Sequence, residues 1–381
     1  MDDDANQQPG VMMAGRRTSE PPEHVAGRVQ RFRERMRLKK IEATLLTNRM
    51  DSFYLTGCTA EDSALLVTPR QLRMISDGRF QDSIDEECPW IDKAIRRGSL
   101  VAEIAKVCKR LRLSSLAVQG DVVSVDLHRE LRKACKPIKL TIASPIVNQL
   151  RRIKDGFEIR AIESASRVAE AAFRSTCRSI RVGQTEQAIA ARLEYEMKKR
   201  GASEPAFPSI VAEGPNAALP HAFPGERCVA AGSMLLLDWG ACVGFYRSDL
   251  TRVVGIRRMP PRIAKIYRIV LEAQEKAIAA IRPGRRACDV DAVARAHIRK
   301  AGFGKEFSHG LGHGLGLDVH EAPRLGRQSE DVLEAGMVVT VEPGIYVKGV
   351  GGVRIEDDVL VTADGARVLT HLNKDLASAI V

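Results

Sequence analysis

At 381 residues the chain is long enough for two packed domains, each with its own core. Its 44% hydrophobic and 28% charged content is that of an ordinary soluble globular protein, and no apolar run reaches the roughly 18 residues of a membrane span. A net charge of +11 raises nucleic-acid binding as a possibility, so the placement of the basic residues has to decide that question.

Residues 1–23, MDDDANQQPGVMMAGRRTSEPPE, are polar and lack the apolar core of a secretory signal. They are expected to form a disordered tail, or to be upstream sequence if translation starts nearer Met12 or Met13. The densest basic run, RFRERMRLKK at 31–40, overlaps apolar residues Val25, Val29, Phe32 and Met36 at helical spacing. Its charges therefore belong to the solvated face of an amphipathic helix. The run's one aromatic, Phe32, belongs to the apolar stripe and makes no stacking platform, so neither a nucleic-acid nor a membrane partner is expected.

From about residue 24 to 149, ATLLT and SALLVTP read as buried strands, VAEIAKVCKRLR as a helix and SLAVQ as a further strand, an α/β domain. His128 stands alone there and reads as a surface residue. The eight cysteines show no C-x-x-C and no paired spacing, which argues against a structural zinc module and a disulfide framework and fits a reducing cytoplasm.

The character changes at residue 150. LRRIKDGFEIRAIESASRVAEAAF carries Ile159, Ile162, Val168 and Ala171 in a long helical pattern. A second helix is opened by Thr185 as N-cap and closed by Gly201. Strand-like segments follow Ser209, then helices near 261–281 and 288–301, then more strands. This segregation predicts an α+β domain over 150–381.

Two hairpins there carry acids at the ends of apolar runs. In SMLLLDWGACVGFYRSDLTRVV, a turn centred on Val243–Gly244 sets Asp238 directly opposite Asp249. In MVVTVEPGIYVKGVGGVRIEDDVLV, a turn centred on Gly349 sets Glu342 opposite Glu356, with Pro343 arguing against one uninterrupted strand. Arg354, two positions before Glu356, is expected on the opposite strand face in a supporting role. A lone acid after a strand is ordinarily a turn residue or cap. Two opposed pairs repel, however, and one carboxyl of a pair would have to protonate unless a cation sits between them.

The stretch SHGLGHGLGLDVHE (308–321) places His309, His313 and His320 among glycines, too glycine-rich for a good helix. Four inward acids and an imidazole make a site for hard or borderline ions such as manganese, cobalt or zinc, and two ions would neutralise four carboxylates. No G-x-S-x-G elbow supports a serine hydrolase.

LLLDWGACVGFYRSDLTR, HGLGHGLGLDVHEAPR, VVTVEPGIY and GGVRIEDD together resemble the pita-bread metallopeptidases, the group containing methionine aminopeptidase, aminopeptidase P and prolidase. NRMDSFYLTG, SDGRF and LRRIKDGFEI resemble the creatinase-type N-terminal domain of the proline-directed members. The resemblance implies a creatinase-type α/β domain followed by a pita-bread catalytic domain. It implies Asp238, Asp249, His313, Glu342 and Glu356 as ligands of two divalent ions, with Asp249 and Glu356 bridging. It implies Glu342 as proton shuttle, and His320 with His221 (in GPNAALPHAFPG) as stabilisers of the tetrahedral oxyanion formed by a metal-held hydroxide. His309 resembles a position near the cleft, and Arg324 an arginine that binds a dipeptide's free carboxylate, although a surface-loop role fits it equally. The implied activity is hydrolysis of Xaa-Pro bonds in short peptides, by a cytoplasmic homodimer with manganese as the leading ion. Rival readings are a non-proline aminopeptidase, C–N or C–S chemistry on a small amide or osmolyte-like molecule, and a non-enzymatic binding module.

Overall fold

The helix drawn from the basic run forms as expected. α1 (Glu23–Leu38) buries Val25, Val29, Phe32 and Met36 and leaves most of its charges in solvent. Arg28 is the exception: it is buried, lies 4.7 Å from the Tyr54 ring and donates to the Tyr54 carbonyl. The computed structural model describes residues 20–143 and 145–381, so most of the expected tail, with Met12 and Met13, lies outside the described residues. The chain divides into two compact units after Arg151.

The first unit is built on a six-stranded sheet. Its strands are β1 (Thr44–Leu46), β2 (Ala64–Val67), β3 (Leu72–Asp77), β4 (Asp92–Arg96), β5 (Ser115–Gln119) and β6 (Lys139–Ala143), in the order β4-β3-β2-β1-β5-β6. Parallel pairs β1/β5, β5/β6 and β3/β4 combine with antiparallel β1/β2 and β2/β3. Helices α2 (Arg49–Thr56), α3 (Gln81–Glu87), α4 (Leu100–Arg110), α5 (Val125–Ala134) and α6 (Ile146–Arg151) connect or follow the strands. Leu45, Leu66, Ile75, Leu116 and Val118 of the sheet meet Ile104, Val107 and Leu131 of α4 and α5 in one core.

The second unit opens on α7 (Gly156–Ser179), started by a reciprocal capping box between Asp155 and Glu158. α8 (Glu186–Lys199) is capped by Thr185, and Gly201 follows it in the left-handed region, as the sequence predicts. Next come β7 (Glu204–Pro205), β8 (Ile210–Glu213), β9 (Met234–Trp239), β10 (Ala241–Val243), β11 (Tyr246–Arg247) and β12 (Leu250–Gly255). Then follow α9 (Pro261–Ala279) and α10 (Ala287–Lys300), and the strands β13 (Gly312–Gly314), β14 (Glu321–Leu325), β15 (Val338–Val341), β16 (Gly344–Val347), β17 (Gly351–Arg354), β18 (Asp357–Val361) and β19 (Ala366–Val368). The sheets run β12-β9-β8, β11-β10-β7, β14-β13-β15-β18-β19 and β16-β17, with α9 and α10 packed over apolar residues from several of them. Among the described residues no helix is long and apolar enough to cross a membrane.

Register decides where the acids point. In the first hairpin the turn is Gly244–Phe245, not Val243–Gly244. Both residues have positive φ (57° and 69°), the conformation of the type I′ turn that matches strand twist. Moving the turn by one residue moves the pairing by two, so Asp238 pairs with Thr251 rather than Asp249. A shift of two preserves parity, and Asp249 stays on the face that Thr251 and Asp238 share. In the second hairpin Gly344 pairs with Arg354 and Val341 with Asp357, the expected register, carried through both ladders. Glu342 and Glu356 fall in the gap between the ladders, opened by Pro343.

Candidate metal centre

Five segments deliver the expected ligands to one place. Asp238 lies near the end of β9, Asp249 immediately precedes β12, His313 is central in β13, Glu342 follows β15, and Glu356 lies between β17 and β18. An isolated bridge between Thr251 and Glu356 joins β12 to the connection between β17 and β18. Ligand atoms of Asp249, His313 and Glu356 all lie within 4.8 Å of one another. His313 Nε2 stands 3.7 Å from Asp249 Oδ2 and 3.3 Å from Glu342 Oε1. Thr340 fixes the strand positions: its Oγ1 accepts from the His313 peptide N–H at 3.1 Å and donates to Glu342 at 3.2 Å.

These five residues line a cavity of about 700 Å³ together with His221, His309, His320 and Arg324. The rings of His313 and His320 meet edge to face at 4.4 Å. His309 shares a 2.8 Å hydrogen bond with the Tyr346 hydroxyl, and its Nδ1 stands 3.9 Å from Glu342 Oε2. Arg324 pairs across the β13/β14 ladder with His313, which carries it to the cavity side, while its peptide N–H donates to Asp331. The glycines serve close approach: a Cβ on Gly312 would lie 2.0 Å from the Thr340 carbonyl oxygen.

Arg354 is where the sequence reading needs correction. It lines the same cavity and forms a buried ion pair with Asp238. It also donates to Tyr346 OH at 2.6 Å and to Thr251 Oγ1 at 3.0 Å. Residues two apart on a strand share a face, so Arg354 follows Glu356 inward. Thr251, Thr340 and Tyr346 support the site without being singled out by the sequence; the one signal for Thr251 is its position two residues after Asp249.

One guanidinium does not neutralise four carboxylates. Burial, with the charges of Glu356, Asp238 and Glu342, pushes the Asp249 carboxyl well above its ordinary value. Burial and the charges of Glu342 and Asp238 do the same to Glu356. Burial also raises Asp238 despite Arg354, and its buried Oδ1 has no hydrogen-bond partner among the described residues. Glu342 goes the other way: against burial, the hydrogen bond and charge of His313 hold it down to about 2. Burial and the His313 charge lower His320. Oxygen-rich donors, one imidazole, mutual repulsion and an unpartnered buried carboxylate oxygen fit divalent cations.

A buried carboxylate–imidazole cluster at the floor of an open cavity defines a hydrolytic metal centre. Residues 160–363 match the profile of metallopeptidase family M24, and residues 28–153 match the creatinase/prolidase N-terminal domain. A solved Xaa-Pro dipeptidase from Bacillus anthracis superposes with a TM-score of 0.90 at 35% identity, covering 94% of this chain and 100% of that one. An X-Pro aminopeptidase from Thermotoga maritima gives 0.87 at 36%, covering 91% and 100%. The Xaa-Pro dipeptidase of Pyrococcus furiosus is 43% identical over 274 residues, 72% of this chain and 78% of its own. The chain belongs to metallopeptidase family M24, with a creatinase-type N-terminal domain and a pita-bread catalytic domain.

Proposed function

We propose that this metallopeptidase hydrolyses the Xaa-Pro bond of dipeptides and short peptides. The observation that carries the reading is the meeting of five ligands, three histidines beside them and Arg324 in one cavity of about 700 Å³. The creatinase-type domain and the proline-directed relatives support the substrate class.

Asp238, Asp249 and Glu356 would hold one divalent ion, and Asp249, His313, Glu342 and Glu356 the other, with manganese first and cobalt or zinc as alternatives. When bound, such ions supply positive charge to the four carboxylates and bring the pKa of a coordinated water toward neutrality. The remaining chemistry belongs to side chains. Glu342 accepts the attacking water's proton and delivers it to the leaving nitrogen. His320 and His221 line the cavity where negative charge grows on the peptide oxygen, and donate to it. Arg324 presents its guanidinium fork to the free carboxylate of the dipeptide. His309, hydrogen-bonded to Tyr346, borders the substrate's path.

Xaa-Pro dipeptides assayed beside Xaa-Pro-containing tripeptides test the reading and separate dipeptidase from aminopeptidase. Cleavage of neither overturns it. Elemental analysis of the purified protein tests the ion count, two per chain being expected. The same reading includes a cytoplasmic location, supported by eight cysteines standing as free thiols, and a homodimer, checked by sedimentation equilibrium.

A further inference from the structure

LRRIKDGFEI contributes a side chain that the chemistry above leaves unused. Lys154 lies just before α7, and its side chain is 0% exposed. Its Nζ sits 3.1 Å from Glu321 Oε2, itself 8% exposed in its side chain. The surrounding backbone is tightly wedged. The Lys154 peptide N–H donates to Gly336 O at 2.8 Å, and a Cβ on Gly336 would lie 2.9 Å from Ile153 Cγ2. A lysine ammonium is strongly hydrated, and burying it is costly unless it is paired. Buried pairs of this kind add little net stability over apolar replacements, so what this pair does is sought in the segment it places.

What Glu321 holds is the segment bearing His320. Its Oε1 accepts from the Asp318 peptide N–H at 3.1 Å. A Cβ on Gly316 would lie only 2.9–3.0 Å from its carboxylate oxygens, and Glu321 pairs with Gly314 across the β13/β14 ladder. Glu321 thus ties both ends of the loop 314–321. Arg247 grips the loop from the other side, through its peptide N–H to Gly316 O at 2.9 Å and its Nε to Leu317 O at 3.2 Å. His320, next to Glu321, meets His313 at 4.4 Å and otherwise faces the open cavity.

We propose that Lys154 is a positioning residue for His320, acting through the Glu321 carboxylate. The inference rests on the role given to His320 above. Loss of the ammonium leaves Glu321 buried without this cation, and the loop that aims the imidazole relaxes.

The test is a double-mutant cycle on an Xaa-Pro dipeptide with the metal-loaded protein. Lys154→Met is expected to lower kcat about 10- to 100-fold, the scale of an ångström of misplacement, with KM within about twofold and metal content unchanged. In a His320→Ala background the same substitution is expected to cost almost nothing further, because it acts through a group already removed. Lys154→Met/Glu321→Met is expected to recover Tm toward the parent while kcat stays low. Glu321→Gln, which keeps size and the acceptor for Asp318, serves if Lys154→Met does not fold; a smaller kcat loss with the same non-additivity is expected. In the metal-free protein, the ring signal of His320, assigned by its absence in His320→Ala, is expected to shift on Lys154→Met. Equal losses in both backgrounds, or recovery of kcat along with Tm, overturns the inference. If His320→Ala itself retains the parent kcat, the role of His320 fails instead, a result the cycle reads separately.

Discussion

Gly312→Ala asks how tightly the backbone behind His313 is built. The added Cβ would stand 2.0 Å from Thr340 O, 2.7 Å from the Thr340 carbonyl carbon and 2.8 Å from Thr340 Oγ1. Ordinary contact needs β13 and β15 to part by more than about 1 Å. Thr340 Oγ1 bonds both the His313 peptide and Glu342, so the displacement drags two of the proposed ligands with it. Overpacking of this kind costs about 1–3 kcal/mol. In a unit of this size that lowers Tm by about 2–12 °C. Misplacing reacting groups by about 1 Å costs on the order of 100-fold in kcat. Gly349→Ala is the control: φ there is 75° with nothing within 4 Å of the new Cβ, so it carries about 1–2 kcal/mol of backbone strain and leaves kcat alone. Dipeptide kinetics, elemental analysis and thermal unfolding of both variants decide. A Gly312→Ala protein with parental kcat and full metal content refutes the reasoning.

Asp249→Ala is expected to lose metal and activity together, whereas His320→Ala keeps its metal and loses turnover; equal metal loss by elemental analysis contradicts these roles. Asp357→Ala removes the acceptor shared by Arg252, Gln274, Lys374 and Thr370 and leaves the buried Arg252 without its carboxylate. A loss of about 3–5 kcal/mol in denaturant titrations is expected. Phe307→Ala empties a fully buried site beneath the Arg295 guanidinium, 4.0 Å from the ring, and is expected to cost about 3–5 kcal/mol in the same titrations. In the first unit the Asp77 carboxyl is held at about 2, chiefly by its hydrogen bond with Arg79. Its contribution to folding is complete above the ordinary carboxylate pKa of about 3.9 and disappears as pH falls through about 2. Asp77→Asn should therefore show a smaller drop in Tm than the parent between pH 5 and pH 2.

The four acids of the proposed ligand set are legible in the sequence because two hairpins repeat one pattern, an apolar run ending in an acid, while His313 is assigned by the resemblance to the metallopeptidases. The second hairpin's register is readable from Gly349 alone. The first differs from expectation by two residues because Phe245 adopts positive φ, a conformation a phenylalanine does not advertise. Parity protects the conclusion, since Asp249 reaches the cavity under either register. Arg354 belongs on the inward face by the period of two that places Glu356 there, and its ion pair with Asp238 follows from that. The hydroxyls of Thr251, Thr340 and Tyr346 carry no sequence signature of their own, because their task depends on neighbours more than a hundred positions away in the case of Thr251 and Glu356. Lys154 and Glu321 are 167 positions apart, and no local pattern announces such a pair.

The bridge between Thr251 and Glu356 ties together strands whose acids repel, so divalent ions would act there as a rivet as well as a reagent. Binding only to the folded chain, ions at a hundredfold excess over Kd add about 2.7 kcal/mol per site. Chelation would then expose the protein to proteases at temperatures it otherwise survives. Metal scarcity would set the surviving amount of enzyme as well as its specific activity.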